Sequence, residues 1–349
     1  MLIYYVKNDG SNEVEIQDPK HKRRFLSRVP YPQLKVDDIR PGGRIMIFSR
    51  QYKVEGYEDK VTRDALSKSQ SGCLVIIAGG GSAVSQVIGQ VWQSCEAQVL
   101  RIVDAKMIHI SDDDVKMIVK DISGDSKTSN SIASGPMLIL SVMGEDSFQK
   151  VQVLAHTFSS SSSSLPRGCN VLFASDPAAD VRLQGAFFGD IKYRLKSANE
   201  SSGHFSDCSC LCVLPSTVAN GQAGSVLAEL QSSLTSSNLS ITALRIANFS
   251  RSQAEEFVEV YKAVVPEYVD MINEFSKGPF VALEITGNDA VNKIRDICGP
   301  RDIEVAKRVR PHTLRAKFGT SAGSSGVHCT DLVEDGPLEC EFIFALIQQ

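Results

Sequence analysis

The chain has 349 residues, of which 42% are hydrophobic and 22% charged, a composition typical of globular proteins with two or three domains. Its net charge of −4 argues against a nucleic-acid-binding protein, which usually contains a strongly basic domain. No apolar run reaches the about 18 residues that a membrane helix needs, so neither nucleic acid nor membrane is predicted as a partner. The basic run Lys20 to Arg24 is interpreted as a solvated turn, with a patch facing an acidic partner as the alternative.

The chain contains nine cysteines, an odd number, and its first residues do not have the pattern of a secretion signal. We therefore predict a cytoplasmic protein with free thiols. Three of the cysteines alternate along a strand-like pattern, namely Cys208, Cys210 and Cys212. A single intervening residue is too short for the usual zinc-binding pair, so the pattern predicts buried thiols and no metal site.

Residues 1–68 have the pattern of a small β domain. An apolar run from Leu2 to Val6, a polar turn and the alternating segment Glu13 to Ile16 predict a β-hairpin. A second strand-rich segment runs from Arg44 to Tyr57.

Strands and helices alternate after residue 71. The elements predicted here are a strand at Leu74–Ile77, a helix at Ala83–Ser94, a strand at Val99–Ile110, a helix from Asp112, a strand at Met137–Met143 and a helix at Asp146–Phe158. The six serines Ser159–Ser164 are predicted to form a loop. Residues 191–209, which are polar and rich in serine, asparagine and glycine, are predicted to be a linker.

The same order of elements then returns. It comprises a strand at Leu211–Leu214, a helix at Ser225–Leu234, a strand at Ser240–Phe249, a helix starting near Ser250 and a strand at Phe280–Ile285. Gly135-Pro136 and Gly278-Pro279 occupy equivalent places, roughly 140 residues apart. The sequence therefore predicts two copies of one β-α-β-α-β unit, domain A at 71–190 and domain B at 210–349.

Domain B contains the motifs of a known family in the family's order. The segments are Ala254 to Tyr261, Lys277 to Pro279, Val309 to Ala316 and Val327 to Asp331, followed by Glu339. These segments resemble nucleoside diphosphate kinases. The resemblance implies an α+β fold in which each copy is a ferredoxin-like sandwich, an antiparallel sheet covered by helices.

The N-terminal segments Ile47 to Gln51 and Tyr57 to Asp59 resemble the DM-ten domain of ciliary proteins, a small PH-like β domain. A DM-ten domain followed by two kinase-fold units resembles a divergent ciliary branch of the family. This resemblance implies a structural, microtubule-associated protein of ciliary and flagellar axonemes, in the cytoplasmic cytoskeleton. It further implies a microtubule inner protein of the doublet microtubules, with α/β-tubulin and other inner proteins as partners.

The family transfers the γ-phosphate of a nucleoside triphosphate to a diphosphate through a phosphohistidine. The resemblance assigns the histidine's role to His328, supported by Glu339, Tyr261 and Thr330. It assigns nucleotide binding to Arg295, Arg315 and Thr313. It implies no cofactor for a structural role, and Mg²⁺ with a nucleoside triphosphate if kinase activity persists.

Several positions depart from the family pattern. In domain B, Leu214 replaces a lysine and Ser325 replaces an asparagine. In domain A, the positions of the lysine, the histidine and the glutamate are occupied by Ala78, Phe173 and Gln184. A phenylalanine ring cannot accept a phosphoryl group, so we expect domain A to be inactive and domain B to be weak or inactive, like a pseudokinase. The alternatives are a nucleoside diphosphate kinase acting through phospho-His328, and a nucleotide sensor that binds through Arg295 and Arg315 without transfer.

Overall fold

A computed structural model describes most of the chain. The described residues are 1–7, 11–34, 36–39, 44–48, 50–62, 72–78, 81–123, 136–160, 166, 169–189, 195, 201–321 and 323–347. They belong to two compact units, Met1–Gln70 and Ser71–Gln349. None of the helices in the described ranges has both the length and the apolar character needed to span a membrane.

The first unit is built from strands. The strands are β1 (Leu2–Tyr5), β2 (Glu13–Asp18), β3 (Arg23–Pro30), β4 (Arg44–Ile47) and β5 (Arg50–Lys53), with a 3₁₀ turn at Val36–Asp38. β1 to β3 form an antiparallel sheet and β4 pairs with β5. The predicted first hairpin is present, with Leu2 opposite Ile16. Its core is a cluster of buried aliphatic side chains, Val14, Ile16, Leu34, Ile45 and Ile47.

The second unit contains one sheet covered by helices. Its strands are β6 (Gly72–Ala78), β7 (Arg101–His109), β8 (Ile122–Ser123), β9 (Pro136–Met143), β10 (Asn170–Ala174), β11 (Cys208–Val213), β12 (Ser240–Ala247), β13 (Phe280–Thr286) and β14 (Val327–Cys329). The helices that the structure describes in its first half are α1 (Gly81–Ser85), α2 (Ile88–Ala97), α3 (Asp112–Val119), α4 (Ser147–Ser160) and α5 (Pro177–Phe188).

The remaining helices lie in the second half of this unit. They are α6 (Pro215–Ala219), α7 (Ala223–Ser237), α8 (Arg251–Phe257), α9 (Tyr268–Phe275), α10 (Ala290–Cys298), α11 (Ile303–Val309), α12 (Leu314–Phe318) and α13 (Asp335–Glu341). The described residues also form a 3₁₀ turn at Glu259–Tyr261 and a π-turn at Phe342–Leu346. Ser250 caps α8 through the reciprocal hydrogen bonds of a capping box with Gln253.

The nine strands follow the order β14-β11-β13-β12-β7-β9-β6-β10-β8. The first four strands in this order are β14, β11, β13 and β12. If these four are renumbered 1 to 4 along the chain, their order in the sheet is 4-1-3-2, which is the ferredoxin-like arrangement. The next four strands are β7, β9, β6 and β10. Renumbered in the same way, their order is 2-3-1-4, the reverse of the first. The second strands of the two halves, β12 and β7, therefore meet at the centre of one continuous sheet.

The junction brings two like charges together, because Arg245 of β12 lies opposite Lys106 of β7. Such pairs are destabilising when both side chains face each other. Here Arg245 donates to Ile343 O at 2.8 Å, and Lys106 donates to Phe187 O at 2.5 Å. Each cation thus satisfies a carbonyl at the C-terminal end of a helical segment, where the helix dipole favours positive charge.

Two sequence-based boundaries differ from the structure. The helix predicted at Ala83–Ser94 is interrupted between α1 and α2, where Ser85 Oγ donates to Ile241 O and accepts from Ile241 N. The predicted linker 191–209 ends too late, because β11 already begins at Cys208 and Ser202 Oγ donates to Thr242 O. The Ser202 side chain thus binds the backbone of β12 instead of remaining solvated. α4 includes the first two residues of the serine run, whereas 161–164 lie outside the described residues.

Candidate nucleotide-binding site

His328 lies in β14, which pairs with β11, and its side chain is buried. Its Nε2 is 3.4 Å from both carboxylate oxygens of Glu339, eleven residues later in α13. The rings of Phe257, Phe275 and Tyr261 surround it edge-on, with centroids 5.5 to 5.9 Å from that of the imidazole. The imidazole is therefore held in one orientation by packing on its sides and by a carboxylate at one nitrogen.

Thr330 orients that carboxylate. Its Oγ1 donates to Glu339 Oε2 at 2.8 Å and accepts from Cys210 N. A carboxylate beside Nε2 favours the tautomer with the proton on Nε2 and a lone pair on Nδ1. Within the described part of the chain Nδ1 forms no hydrogen bond. The arrangement is that of a histidine whose Nδ1 could act as a nucleophile.

A cleft opens beside His328. Its lining residues are Leu214, Glu267, Met271, Glu274, Phe275, Arg301, Arg315, Gly323, Ser325 and His328. Two arginines are matched by two glutamates in this lining, so the cleft has no excess of positive charge. Leu214, the position where the resemblance predicts a lysine, is one of its apolar walls.

Arg315 is buried and directed towards the backbone. Its NH1 group donates to Gly299 O at 2.8 Å and its Nε donates to Val327 O at 3.3 Å. Its NH2 group lies 3.5 Å from Cys329 Sγ. The guanidinium thus binds β14 to the end of α10 and lines the cleft at the same time.

Sequence reasoning missed several residues of the cleft lining, and Arg301 has the most contacts with the site among them. Its NH2 group donates to Asp331 at 2.6 Å, its NH1 lies 3.2 Å from Met271 Sδ, and its guanidinium carbon lies 4.7 Å from the centroid of Tyr261. The sequence signal was weak, an arginine after the Gly299-Pro300 turn that belongs to none of the motifs.

Asp331 and Tyr261 respond to this environment in opposite directions. Burial opposes ionisation of Asp331, but the charge of Arg301, the neighbouring His328 and hydrogen bonds from Arg301 and Tyr261 together lower its pKa. Burial, followed by the charge of Glu339, raises the pKa of Tyr261. Tyr261 is therefore a neutral phenol at physiological pH.

Two predicted nucleotide-binding residues lie outside the cleft lining. Arg295 is about half exposed, and its Nε is 3.8 Å from Asp331 Oδ1. Thr313 is buried, and its Oγ1 donates to Arg310 O at 2.8 Å. Thr313 packs against Gly299, where an added Cβ would come within 2.2 Å of its Oγ1. The structure thus places Thr313 under the turn that holds Arg315, and Arg295 on the far side of Asp331.

Glu274 and Ser325 complete the cleft wall. The Glu274 carboxylate is buried and accepts hydrogen bonds from Ser216 N, Ser216 Oγ and Lys277 Nζ. Ser325 Oγ donates to Val327 O at 3.0 Å, so its hydroxyl is directed to the backbone of β14, which begins two residues later. A carboxylate and a leucine therefore occupy the wall at which the resemblance predicts a lysine.

Domain A repeats the spacing of this site without its chemistry. Phe173 lies in β10 and Gln184 lies eleven residues later in α5, the same separation as between His328 and Glu339. The Phe173 ring contacts His156, with 5.8 Å between centroids, and Gln184 Nε2 donates to Asp180 at 2.5 Å. Ala78 ends β6, but its side chain lies outside the described residues.

Comparison with known proteins identifies the family to which the second half of the chain is similar. A sequence model of the nucleoside diphosphate kinase family matches residues 207–348. The chain is similar to nucleoside diphosphate kinase homolog 7 of Rattus norvegicus, with 31% identity over 99% of this chain and 88% of the relative. The Mus musculus homolog 7 is 30% identical with the same coverage.

A shorter relative matches part of the chain. The nucleoside diphosphate kinase of Aquifex aeolicus is 33% identical over 135 residues, which cover 39% of this chain and 92% of that protein. Together with the homolog 7 proteins, whose similarity covers nearly the whole chain, these matches show that the chain is a divergent member of the nucleoside diphosphate kinase family.

Proposed function

We propose that the chain is a structural protein in which the nucleoside diphosphate kinase fold serves as a binding scaffold, with phosphoryl transfer weak or lost. The observation that carries the proposal is the balanced charge of the cleft, in which Arg301 and Arg315 are matched by Glu267 and Glu274. A nucleoside triphosphate has several negative charges, and its transfer depends on preorganised positive charge. A balanced cleft with Leu214 in its wall is poorly suited to that task.

The proposed place of action is the lumen of doublet microtubules in ciliary and flagellar axonemes, with α/β-tubulin and other inner proteins as partners. The support for this part is the resemblance of Ile47 to Gln51 and Tyr57 to Asp59 to the DM-ten domain. The ability of one fold to host unrelated functions makes a binding role compatible with family membership.

Co-sedimentation of the purified full chain with polymerised tubulin tests the structural role. We expect saturable binding that is unchanged in His328→Ala, since the buried imidazole has no part in a surface contact. Absence of binding to microtubules would contradict the proposed partner. Release of the protein from axonemes by mild salt, with the doublets intact, would contradict a luminal position.

The second candidate function is nucleoside diphosphate kinase activity, and the geometry of His328 and Glu339 favours it. In this reaction the Nδ1 lone pair would attack the γ-phosphorus, the bond to the leaving diphosphate would break, and the Nε2 proton would remain on the Glu339 side. A nucleoside diphosphate would then take the phosphoryl group from Nδ1. Mg²⁺ would enter and leave with the nucleotide as part of the substrate.

Labelled-phosphate transfer from γ-labelled ATP and Mg²⁺ separates the two functions. We expect little or no label on the parent chain and a gain in Leu214→Lys, because a restored cation near the phosphates can contribute several kcal/mol, and each ~1.4 kcal/mol is a factor of ten in rate. Leu214→Met is the matched control, since it changes the side chain without adding charge. Strong labelling of the parent that disappears in His328→Ala and is chased onto GDP would establish the kinase function.

Calorimetry with ADP and Mg²⁺ tests the nucleotide-sensor alternative. A heat of binding without phosphoryl transfer, lost in Arg315→Lys, would support a sensor. No heat of binding would leave the scaffold role.

A further inference from the structure

Four thiols and one carboxylate meet under α13, away from the cleft. Successive side chains of a strand alternate between faces, so Cys208, Cys210 and Cys212 of β11 lie on the same face. Cys340 of α13 and Glu284 of β13 lie against that face, and all five side chains are buried. The sequence spacing could not show this cluster, because two of its members come from distant elements.

The ligand atoms of the cluster are close together. The sulfurs of Cys208 and Cys340 and a carboxylate oxygen of Glu284 all lie within 4.8 Å of one another. Cys210 Sγ is 3.7 Å from Cys212 Sγ, on the same face of β11 as Cys208. α13 packs directly on β11, since a Cβ added at Gly336 would come within 2.0 Å of Cys208 O.

Glu284 is a buried carboxylate held by dipoles. It accepts hydrogen bonds from the backbone N–H groups of His204 and Phe205 and from Thr242 Oγ1. Among the described residues, none of the ion pairs of the chain includes Glu284. A buried carboxylate beside thiols and without a cationic partner is an environment that favours a bound cation.

We propose that Cys208, Cys340 and Glu284 bind one zinc ion or a comparable thiophilic divalent cation, with Cys210 as the fourth ligand candidate. In a tetrahedral zinc site with Zn–S near 2.3 Å, ligand atoms are about 3.7 Å apart. The three ligand atoms must therefore approach by at most about 1 Å, a distance that side-chain rotation covers.

Binding of the cation leaves the net charge of the buried site unchanged. Binding removes the thiol protons of Cys208 and Cys340, so two protons leave as one divalent cation enters, and the net charge of the three ligands together with the ion stays that of Glu284 alone. Cation affinity should therefore fall as the pH is lowered.

The site would connect two parts of the unit. Cys340 directly follows Glu339, and the backbone N–H groups of residues 204 and 205 bind Glu284. A cation at this point would fix the helix that positions Glu339 beside His328, and would fasten the chain entering β11. The proposed site is thus a structural cation site that stabilises the second half of the unit, and it is separate from the cleft.

Titration of the full, phosphine-reduced, metal-free protein with Co²⁺ tests the proposal. We expect one equivalent of Co²⁺ with thiolate-to-cobalt charge-transfer absorption, release of two protons, and displacement by Zn²⁺. In Cys340→Ala and Cys208→Ala the affinity should fall by more than about 100-fold, beyond the effect of losing an outer-shell contact. Cys95→Ala is the matched control, since it removes a buried thiol outside this cluster and should leave the titration unchanged.

A measurement on the unaltered chain guards against variants that fail to fold. Zn²⁺ should raise its melting temperature and protect Cys208 and Cys340 from alkylation. Absence of charge-transfer absorption in the parent, or a titration that is the same in folded Cys340→Ala, would overturn the proposal.

Discussion

At the residue scale, the Cys329 thiol lies between the cleft residue Arg315 and the thiol of Cys298. Hydrogen bonding from Cys298 lowers the pKa of Cys329 to about 6, and the charge of Arg315 acts in the same direction against burial. The folded state therefore holds a thiolate where the unfolded chain, with a cysteine pKa of about 8.5, still holds a thiol. Between these values the unfolded state binds more protons, so stability rises with pH and is lost as pH falls towards 6.

Urea unfolding between pH 6 and 8 measures this effect. We expect the midpoint to rise with pH in the parent chain and to rise less in Cys329→Ser, which has no ionisable group there. Cys95→Ser is the control, because burial raises the pKa of Cys95 to about 12 and both of its states remain thiols across this range. Equal pH slopes in the parent and in Cys329→Ser would contradict the assignment.

At the scale of the elements, α2 and α7 approach each other at Gly89. A Cβ at this position would lie 2.5 Å from Ala228 Cα and 2.6 Å from Ala228 N, so it would meet backbone that cannot yield easily. Replacing glycine by alanine inside a helix normally gains about 0.5–1 kcal/mol. Overpacking costs about 1–3 kcal/mol, so Gly89→Ala should be destabilising.

The melting temperatures of two glycine-to-alanine variants test whether Gly89→Ala is destabilising. Gly89→Ala should melt below the parent, whereas Gly185→Ala in α5 should melt at or above it, since a Cβ there meets nothing within 4 Å. A Gly89→Ala variant as stable as Gly185→Ala would mean that the two helices separate without cost.

At the scale of the whole molecule, the halves of the second unit share one sheet and one helix interface. A fragment with residues 201–349 would expose the edge of β12 and the face of α7 that packs on α2 at Leu227 and Ala228. Unpaired strand edges and exposed apolar faces favour association. We expect this fragment to self-associate in light scattering, and the fragment 71–349 to remain monomeric at the same concentration. A stable monomer of 201–349 would contradict this reasoning.

The sequence predicted contacts that depend on local spacing, and missed those that depend on distant elements. The pairing of His328 with Glu339 follows from a motif with a fixed separation of eleven residues. The charge balance of the cleft does not, because Glu274, Arg301 and Leu214 come from separate elements that only the fold brings together. The hydrogen bonds between Ser85 and Ile241, which divide a predicted helix in two, could not be predicted either, because these residues are also far apart in sequence.

The junction of β7 and β12 also has a consequence for the time course of synthesis. β7 leaves the ribosome roughly 130 residues before β12, which at about 5–20 residues per second is a delay on the order of 10 s. Once β9 has been translated it can cover one edge of β7, but the other edge stays unpaired during this interval because β12 has not yet been made. A nascent protein in that condition is a natural client of ribosome-associated chaperones, and its yield in the cell should depend on how quickly translation reaches the second half.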